Sequence, residues 1–410
     1  MKIEIEKLLR KYNQGHIIDF LPLLNDEELI QLESQIANID FEHVSELFNE
    51  TKQKINIQEN KIEHIAYTDK SKLNSLEREE LDNIGSNVIS KGKYALVTMA
   101  GGQGTRLGHK GPKGSFHVDT INGKKFLFEI IIDGLKRANE KYKVVIPWYI
   151  MTSRENNEQT IKFLEEHNYF GYDSSKIKFF KQGELPLINT EGKLIVDKDK
   201  RIKEASNGNG GVYQALGKNG MLEDMKKNNV EWIFINGIDN ILSNFVDTTL
   251  LGLAVKQNNL VAAKSVVKNY PKEKAGVFCK MNGKPKVIEY IDLPDEMAEQ
   301  VDENGELLYG EMNIVSQLFN IKALEELSNI KLPYHPAFKK SGYLNNDGEF
   351  IEVDKPNVYK FETFIFDAYS NYDDITILRV KREEEFAPIK NKEGVDSPET
   401  ATKLYNEFYK

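Results

Sequence analysis

A glycine-rich segment that follows an apolar run holds the residues whose types and spacing are best suited to chemistry. The run YALVTM (94–99) leads directly into AGGQGTRLGHKGPKGSF (100–116). Closely spaced glycines let a ligand approach the backbone, and consecutive backbone N–H groups can surround an anion. Arg106, Lys110 and Lys113 add three positive charges to the same segment. The pattern therefore predicts a site for a phosphorylated ligand, the alternative being a glycine-rich surface turn with solvated basic residues.

Two better-known phosphate-binding loops do not match this segment. No window has the Walker pattern G-x-x-x-x-G-K-[ST]. The dinucleotide pattern G-x-G-x-x-G fails because Gly108 comes one residue too late after Gly102 and Gly104. The loop is also more basic than a dinucleotide needs. Its charge is better suited to a triphosphate together with a second phosphate.

Two further segments carry polar residues at positions suited to ligands. Asp239 follows the apolar run VEWIFIN (230–236), and a carboxylate at the end of a strand is a ligand that Mg²⁺ prefers. The alternative is an aspartate that caps a helix leading from Asn240. In SNGNGG (206–211), the glycines form a second loop that a ligand can approach, and Asn209 can reach ribose or sugar hydroxyl groups. The alternative there is a flexible turn.

Short apolar runs alternate with helix-like segments in the middle of the chain. The predicted strands are YALVTM (94–99), KVVIPWYIM (143–151), KIKFF (176–180), VEWIFIN (230–236) and LVAAKSV (260–266). Segments such as KFLFEIIIDGLKRANEK and NEQTIKFLEEHN lie between them and have apolar residues at helical spacing. This alternation predicts an α/β fold with a parallel sheet and helices on both of its faces. Nucleotides bind such sheets at the first strand-to-helix crossing, which is where the glycine-rich loop lies.

The chain before and after this alternation has other patterns. The first ninety residues are predicted to be helical, with Asn25 and Asn74 as N-caps because acidic residues follow each of them. The segment GVFCKMNGKPKVIEY is predicted to form a hairpin that turns at Asn282 and Gly283.

Composition excludes several classes of partner. The 55 Lys and Arg residues against 64 Asp and Glu give a net charge of −9, which repels nucleic acid and anionic membranes. The single cysteine, Cys279, excludes an internal disulfide and a metal site built from cysteines. There is no apolar stretch long enough for a membrane span or an export signal, so we expect a cytoplasmic protein. A small anionic ligand would therefore need a local site of opposite charge.

The glycine-rich segment resembles the signature of a known family. AGGQGTRLG followed by Pro112-Lys113-Gly114 is similar to the signature of the UDP-N-acetylhexosamine pyrophosphorylases, within the UDP-glucose/UDP-sugar pyrophosphorylase family of uridylyltransferases. Other segments resemble family segments in family order: WYIMTS (148–153), FFKQGELP (179–186), SNGNGGVYQAL (206–216), INGIDNIL (235–242), VIEYIDL (287–293), KPNVYKFETFIFD (355–367) and REEEFAPIKN (382–391). The resemblance spans roughly residues 94–395.

The resemblance implies a fold and a reaction. The fold is Rossmann-like and GT-A-like, with a mixed, mainly parallel sheet; we expect a helical region at 1–91, a catalytic domain at 92–375 and a short C-terminal segment at 376–410. The implied reaction is attack by a sugar 1-phosphate oxygen on the α-phosphorus of UTP, which expels pyrophosphate with the help of Mg²⁺. Because the attacking oxygen belongs to the substrate, no nucleophilic side chain is needed. Arg106 and Lys113 are the implied catalytic residues.

The resemblance also implies roles for binding residues. Nucleotide-binding roles fall on Gly101, Gly102, Gln182 and Gly210; sugar- and phosphate-binding roles fall on Asn209, Gly276, Glu289, Asn313, Lys360 and Lys390; the metal role falls on Asp239. For Glu289 the alternative is a solvent-facing side chain, and for Lys360 and Lys390 it is a solvated lysine. The implied partners are UTP and a sugar 1-phosphate, with neither nucleic acid nor membrane.

One departure from the family pattern leaves the sugar open. The family commonly has Gly-Asn-Ile followed by a histidine three residues later, whereas this chain has Met312-Asn313-Ile314 and then Gln317. A methionine where close approach is usual would alter the sugar pocket. The segment GGQGTRLG resembles the N-acetylhexosamine branch of the family, so we expect N-acetylglucosamine 1-phosphate as the acceptor, and Met312 and Gln317 leave glucose 1-phosphate as the alternative. A non-catalytic sensor of nucleotide sugars is an alternative of a different class; its mark would be the loss of Arg106, Lys113 or Asp239, and all three are present.

Overall fold

The computed structural model describes residues 2–52 and 60–410, and these residues form two compact units. The smaller unit is drawn from Met1–Asn56, Gly183–Gly211 and Leu332–Ile365, and the sheet unit is drawn from Ile57–Gln182, Val212–Lys331 and Phe366–Lys410. Each unit is therefore built from segments that are far apart in the sequence.

The described residues contain fourteen α-helices, which are short except for α5 and α6. They are α1 (Lys2–Lys11), α2 (Gly15–Phe20), α3 (Asp26–Ala37), α4 (Phe41–Glu50), α5 (Ser75–Ser90), α6 (Leu127–Tyr142), α7 (Asn157–Glu166), α8 (Val212–Lys218), α9 (Met221–Lys227), α10 (Thr248–Gln257), α11 (Asp295–Ala298), α12 (Ile321–Leu327), α13 (Arg382–Glu385) and α14 (Pro398–Phe408).

Twenty strands are present in the same residues. They are β1 (Ile62–His64), β2 (Thr68–Asp69), β3 (Tyr94–Met99), β4 (His117–Thr120), β5 (Gly123–Phe126), β6 (Trp148–Thr152), β7 (Ile177–Lys181), β8 (Glu184–Pro186), β9 (Ile188–Asn189), β10 (Glu204–Ser206), β11 (Trp232–Gly237), β12 (Val261–Val267), β13 (Val277–Met281), β14 (Lys284–Ile288), β15 (Glu311–Asn320), β16 (His335–Lys339), β17 (Tyr343–Leu344), β18 (Phe350–Ile351), β19 (Val358–Glu362) and β20 (Thr376–Arg379).

A large sheet of eleven described strands organises the sheet unit. Eight of them follow the order β2-β20-β12-β15-β11-β3-β6-β7, and β1, β13 and β14 join beside β15 through β13. The pairs β2–β20, β20–β12, β11–β3, β3–β6 and β6–β7 are parallel. Strand β15 runs antiparallel to both β11 and β12. The prediction of a mixed, mainly parallel sheet is confirmed.

Helices cover both faces of this sheet. On one face, side chains of α5, α6 and α10 share a cluster with the strands, as shown by Leu135 of α6 and Leu251 of α10 with Leu96 and Phe234. On the other face, Tyr213 of α8 packs edge-on against Phe319 of β15. Every residue of β3 and of β6 is buried, as expected for central parallel strands that have both faces covered.

The smaller unit has its own core. Helices α1–α4 contribute Leu9, Ile36 and Phe41, which cluster with Ile188 of β9 and Phe361 of β19. Strand β19 lies between β16 and β9 in a three-stranded antiparallel sheet, and β8 pairs with β10.

Local signals in the sequence correctly located helix starts and a turn. Asn25 and Asn74 each cap a helix, and each forms a reciprocal capping box with the glutamate three residues later. Asn282 and Gly283 join β13 to β14 with φ values of 52° and 81°, as a tight primed hairpin turn requires.

The two compact units do not follow the predicted boundaries at 91/92 and 375/376. Strands β1 and β2 lie before residue 91, yet β1 pairs with β13 and β2 pairs with β20. Residues 376–379 form β20, which lies inside the large sheet between β12 and β2. The reason is that strand pairing joins segments that are distant in the chain, and local periodicity does not show which segments pair. None of the helices in residues 2–52 and 60–410 has the length and apolar character that a transmembrane span requires.

Candidate active site

Four neighbouring parallel strands end at one edge of the large sheet, and a polar segment follows each of them. Gly101 and Gly102 follow β3, Asn156 follows β6, Gln182 follows β7 and Asp239 follows β11. Ligands of open α/β sheets bind outside the carboxyl ends of their strands. The topology therefore gathers four chain segments at the edge where a nucleotide is expected.

Asn156 fixes the start of the glycine-rich loop. Its side chain is fully buried, and Nδ2 donates to the carbonyl oxygens of Ala100 (2.9 Å) and Gly102 (3.3 Å). Its Oδ1 accepts a hydrogen bond from Ser153 N at 2.8 Å. Asn156 was not among the candidate site residues predicted from the sequence. The available signal was its place just after a buried parallel strand, where polar residues commonly serve the site.

The glycine-rich loop folds back on itself. Gly104 N donates to Gly111 O (3.0 Å), and Lys113 N donates to Gly102 O (3.1 Å). Gly108 has φ 71°, a left-handed conformation that glycine adopts at little cost. Lys113 is thereby returned to the beginning of the loop.

The structure brings Gly101 and Gln182 into direct contact. A methyl group added at Gly101 would lie 2.7 Å from Gln182 Nε2 and 2.8 Å from Oε1, so the Gln182 amide would have to shift to admit it. An added methyl group at Gly102 would meet nothing within 4 Å. The amide of Gln182 thus lies against the backbone of the loop, while Gly102 faces open space that a ligand can enter.

Charged side chains converge beside the loop. Lys113 Nζ lies 3.9 Å from Asp239 Oδ2, and the two side chains are 16% and 29% exposed. Burial lowers the pKa of Lys113; Asp239 opposes this effect, while Lys390 and Arg106 add to it. Lys113, Arg106 and Lys390 therefore lie close enough to influence one another, with Asp239 beside Lys113 and Asp396 Oδ2 3.7 Å from Lys390 Nζ. These three cations are the local positive charge that a small anionic ligand would need.

The loop after β11 is not a helix start. Asn240 is followed by turns, and the next helix, α10, begins at Thr248 with Asp247 as its N-cap. The Asn240 side chain instead accepts a hydrogen bond from Ala387 N (2.9 Å) and donates one to Glu385 O (2.7 Å). The interpretation of Asp239 as a helix cap is therefore wrong.

The structure also brings together the three predicted sugar-binding residues of the sheet unit. Asn313 N donates to Gly276 O at 2.9 Å. A methyl group at Gly276 would lie 3.0 Å from Glu289 Oε1, so these two residues are in close contact. Val315 has φ 55°, a strained value for a β-branched residue, and its N–H donates to Asn313 Oδ1 at 3.1 Å. This irregularity in β15 orients the Asn313 amide.

Met312 does not line the predicted sugar pocket. It is 1% exposed and belongs to the core cluster on the face of the sheet that packs against α5, α6 and α10. Successive residues of a strand point to opposite faces, so Asn313 projects away from that cluster. The expectation that Met312 would alter the sugar pocket is therefore wrong. Gln317 is also fully buried, and its amide atoms have no hydrogen-bond partner in residues 2–52 and 60–410.

The smaller unit holds the remaining predicted residues. Asn209 Oδ1 accepts a hydrogen bond from Ile365 N at 2.9 Å, and Gly210 N donates to Thr363 O at 2.9 Å. A methyl group at Gly210 would lie 2.8 Å from the Phe364 carbonyl oxygen. The glycine at this position is therefore explained by close packing against the chain's own backbone. Lys360 Nζ pairs with Glu362 at 2.7 Å.

A sheet edge with a glycine-rich loop, a basic cluster and one carboxylate is the arrangement of a Rossmann-like nucleotide-binding enzyme. Comparison with known proteins narrows this class. The chain belongs to the UTP–glucose-1-phosphate uridylyltransferase family, whose sequence model matches residues 39–395. Members of this family are nucleotidyltransferases.

Individual relatives have narrower names. The chain is 34% identical over 423 residues to the "Probable UDP-N-acetylglucosamine pyrophosphorylase" of Dictyostelium discoideum, covering 97% of this chain and 86% of that protein. It is 37% identical over 335 residues to the human "UDP-N-acetylhexosamine pyrophosphorylase-like protein 1", covering 79% of this chain and 66% of that protein. The crystal structure of the Trypanosoma brucei uridine diphosphate N-acetylglucosamine pyrophosphorylase superposes with a TM-score of 0.84 at 29% identity, covering 98% and 84% of the two chains.

Proposed function

We propose that this protein transfers the uridylyl group of UTP to N-acetylglucosamine 1-phosphate and releases pyrophosphate. The observation that carries the proposal is the contact of Lys113 with Asp239 beside a loop whose Gly101 packs on Gln182. Family membership and the names of the relatives support the choice of donor and acceptor.

The reaction asks the protein for positioning and charge neutralisation. An oxygen of the sugar 1-phosphate forms a bond to the α-phosphorus of UTP, and the bond from that phosphorus to the bridging oxygen breaks, so that pyrophosphate leaves with the electron pair. Lys113 and Arg106 are proposed to stabilise charge on the phosphorus and on the departing pyrophosphate. Lys113 suits this role because its side chain is largely buried beside other cations, where contact with an anionic phosphate would be stronger than in water.

We propose binding roles that the contacts support. The Gln182 amide, packed on Gly101, offers both a donor and an acceptor, which is what the imide edge of uracil requires. Glu289 and Asn313, joined through Gly276, are proposed to bind sugar hydroxyl and acetamido groups. Asn209, Gly210, Lys360 and Lys390 keep the ribose, sugar and phosphate roles that the resemblance implies, as proposals.

Asp239 is the proposed ligand of Mg²⁺. The described residues contain no group of three or more His, Cys, Asp or Glu side chains that would hold a metal by themselves. A single partly exposed carboxylate nevertheless fits Mg²⁺, which commonly takes one or two carboxylates together with substrate phosphates and water. When bound with the nucleotide, the ion would neutralise charge on the phosphates.

A pyrophosphate-release assay tests the proposal. The purified protein is incubated with UTP, Mg²⁺ and, separately, the 1-phosphates of N-acetylglucosamine, N-acetylgalactosamine and glucose. We expect the highest kcat/KM with N-acetylglucosamine 1-phosphate. A higher value with glucose 1-phosphate would favour the alternative acceptor. Tight UDP-sugar binding with no release from any acceptor would favour a sensor.

Calorimetry tests the metal role separately. Titration of UTP into the wild-type protein and into Asp239→Asn, each with and without Mg²⁺, isolates the part of the affinity that depends on the metal. We expect Asp239→Asn to lose most of that part. An undiminished metal-dependent affinity would remove Asp239 from the site.

A further inference from the structure

A buried cluster of four charges lies behind the candidate active site. Lys264 of β12 is 0% exposed, and its Nζ lies 2.8 Å from Asp247 Oδ2 and 2.9 Å from Glu385 Oε2. Lys70 also contacts Asp247, at 2.8 Å, so two cations face two carboxylates. Burying ionised groups is costly, and hydrophobic residues of similar volume often serve stability as well or better. None of these four residues has a part in the proposed reaction.

The cluster contacts the C-terminal end of the segment that follows β11. We name residues 238–247 the Asp239 loop. Lys264 Nζ donates to Asn244 O at 2.8 Å, and Glu385 Oε2 accepts a hydrogen bond from Asn244 N at 3.3 Å. Burial by itself would lower the pKa of Lys264, but Asp247 and Glu385 together raise it, so Lys264 stays charged at neutral pH.

The near end of the Asp239 loop is held by the same C-terminal segment. We name residues 385–390 the Lys390 segment. Asn240 bonds to the backbone of Glu385 and Ala387 through its amide, and Ile389 N donates to Asp239 O at 2.9 Å. Glu385 therefore takes part at both ends: its carbonyl oxygen accepts from Asn240, and its carboxylate meets Lys264 and Asn244.

These contacts join two segments that carry opposite charges into the site. We propose that Lys264 and Glu385 are positioning residues, which hold the Asp239 loop against the Lys390 segment so that Asp239 and Lys390 meet the same phosphates. The inference rests on the roles of Asp239 and Lys390 in the proposed function. Neither Lys264 nor Glu385 touches substrate; each acts through the backbone that it fixes.

The test variant is Glu385→Gln. Both oxygens of Glu385 are in use, because Lys264 Nζ lies 3.0 Å from Oε1 and 2.9 Å from Oε2 and Asn244 N donates to Oε2. Glutamine has nearly the same shape but only one oxygen, so at least one of these contacts is lost. We expect kcat to fall at least tenfold and the Mg²⁺-dependent part of the calorimetric UTP affinity to fall at least fivefold, whereas the UTP affinity measured without Mg²⁺ should change less than twofold. Lys264→Met should act in the same direction.

A matched control removes another lysine that bridges two carboxylates. Lys125 contacts Glu129 at 2.7 Å and Asp133 at 3.0 Å, and none of these three residues belongs to the Asp239 loop or to the Lys390 segment. Lys125→Met is expected to leave kcat and Mg²⁺-dependent UTP affinity within twofold of wild type. Melting temperatures and circular dichroism of all variants confirm that the folded protein is compared.

A background without Asp239 and Lys390 separates positioning from general packing. Because Glu385 acts through Asp239 and Lys390, adding Glu385→Gln to the double variant Asp239→Asn, Lys390→Met should lower kcat less than twofold further. A general packing defect would lower kcat by the same factor in both backgrounds, and that result would overturn the proposal. A folded Glu385→Gln variant with wild-type kcat and wild-type Mg²⁺-dependent UTP affinity would also overturn the proposal. If Lys264→Met does not fold, Glu385→Gln decides the question alone.

The outcomes also separate this inference from the proposed function. Absence of pyrophosphate release by the wild-type protein, or an undiminished metal-dependent affinity in Asp239→Asn, contradicts the proposed function and with it the positioning role. If the wild-type protein and Asp239→Asn behave as proposed but Glu385→Gln is unaffected, only the positioning role is contradicted.

Discussion

The contact between Gly101 and Gln182 allows a single added methyl group to test how the uracil base is recognised. In Gly101→Ala, the new Cβ would lie 2.7 Å from Gln182 Nε2, whereas ordinary contact begins at 3.4 Å. The amide must therefore retreat by about 0.7 Å. A displacement of that size lengthens a hydrogen bond of about 2.9 Å to roughly 3.6 Å, where it no longer counts as one.

The expected loss of activity can be stated as a fold-change in kcat/KM. A buried polar contact that is left unmade costs about 1–3 kcal/mol, which corresponds to roughly 5- to 150-fold. We expect kcat/KM for UTP to fall within that range in Gly101→Ala, and the preference for UTP over CTP to fall with it. Gln182→Ala should have a similar effect, and the double variant should lose little more, because both changes remove the same contact.

The neighbouring glycine supplies a control for folding and for the position of Gln182, although not for activity, because Gly102 itself has an implied nucleotide-binding role. Gly102→Ala places its methyl group where no protein atom lies within 4 Å, so Gln182 stays in place and the melting temperature should match wild type. The assay is steady-state pyrophosphate release with UTP and with CTP. If Gly101→Ala kept both its kcat/KM and its preference for UTP, the assignment of Gln182 to the base would be refuted.

Three further predictions concern the loop and its charges. Lys113→Ala should lower kcat by about 10²–10³ while the protein stays folded, and nearly full turnover in steady-state assays would contradict a catalytic role. Burial lowers the pKa of Lys113 and Asp239 opposes this effect, so activity that needs the protonated lysine should be lost as pH rises. Removing the charge in Asp239→Asn should move this loss of activity to lower pH. If a pH–rate profile showed the loss at the same or a higher pH, the effect of Asp239 on Lys113 would be refuted. Asn156→Ala leaves buried backbone groups of the loop without their partner, so we expect the free energy of unfolding to fall by about 2 kcal/mol or more. The change is measured as a lower melting temperature, and an unchanged melting temperature would show that Asn156 does not fix the loop.

Local sequence signals predicted those parts of the fold that local physics decides. Asn25 and Asn74 cap helices because their side chains satisfy free N–H groups of the first turn. Asn282 and Gly283 form a hairpin turn because both tolerate positive φ. Each of these signals depends on contacts within a few residues, so a short stretch of sequence contains both members of each contact.

The candidate site was predictable in its composition but not in its contacts. The glycine-rich loop, Lys113 and Asp239 stood out because their types and their place after strands suit phosphate and metal chemistry. Asn156 and Asn240 did not stand out, since an asparagine in a loop is common and its role depends on the backbone groups beside it. The orientation of Met312 also depended on the register of β15 in the sheet, which local sequence does not reveal.

The sequence by itself determined the α/β alternation, the loop that can surround phosphate and the family to which the chain is similar. These properties follow from residue type, short-range periodicity and turn chemistry. Only the tertiary structure decided that residues 62–69 and 376–379 enter the large sheet, that Gln182 packs on Gly101, and that Glu385 joins the two ends of the Asp239 loop. The physical reason is that these contacts join residues that are far apart in the chain. Their free energy depends on which strands pair and how closely side chains pack, and neither is present in any single stretch of sequence.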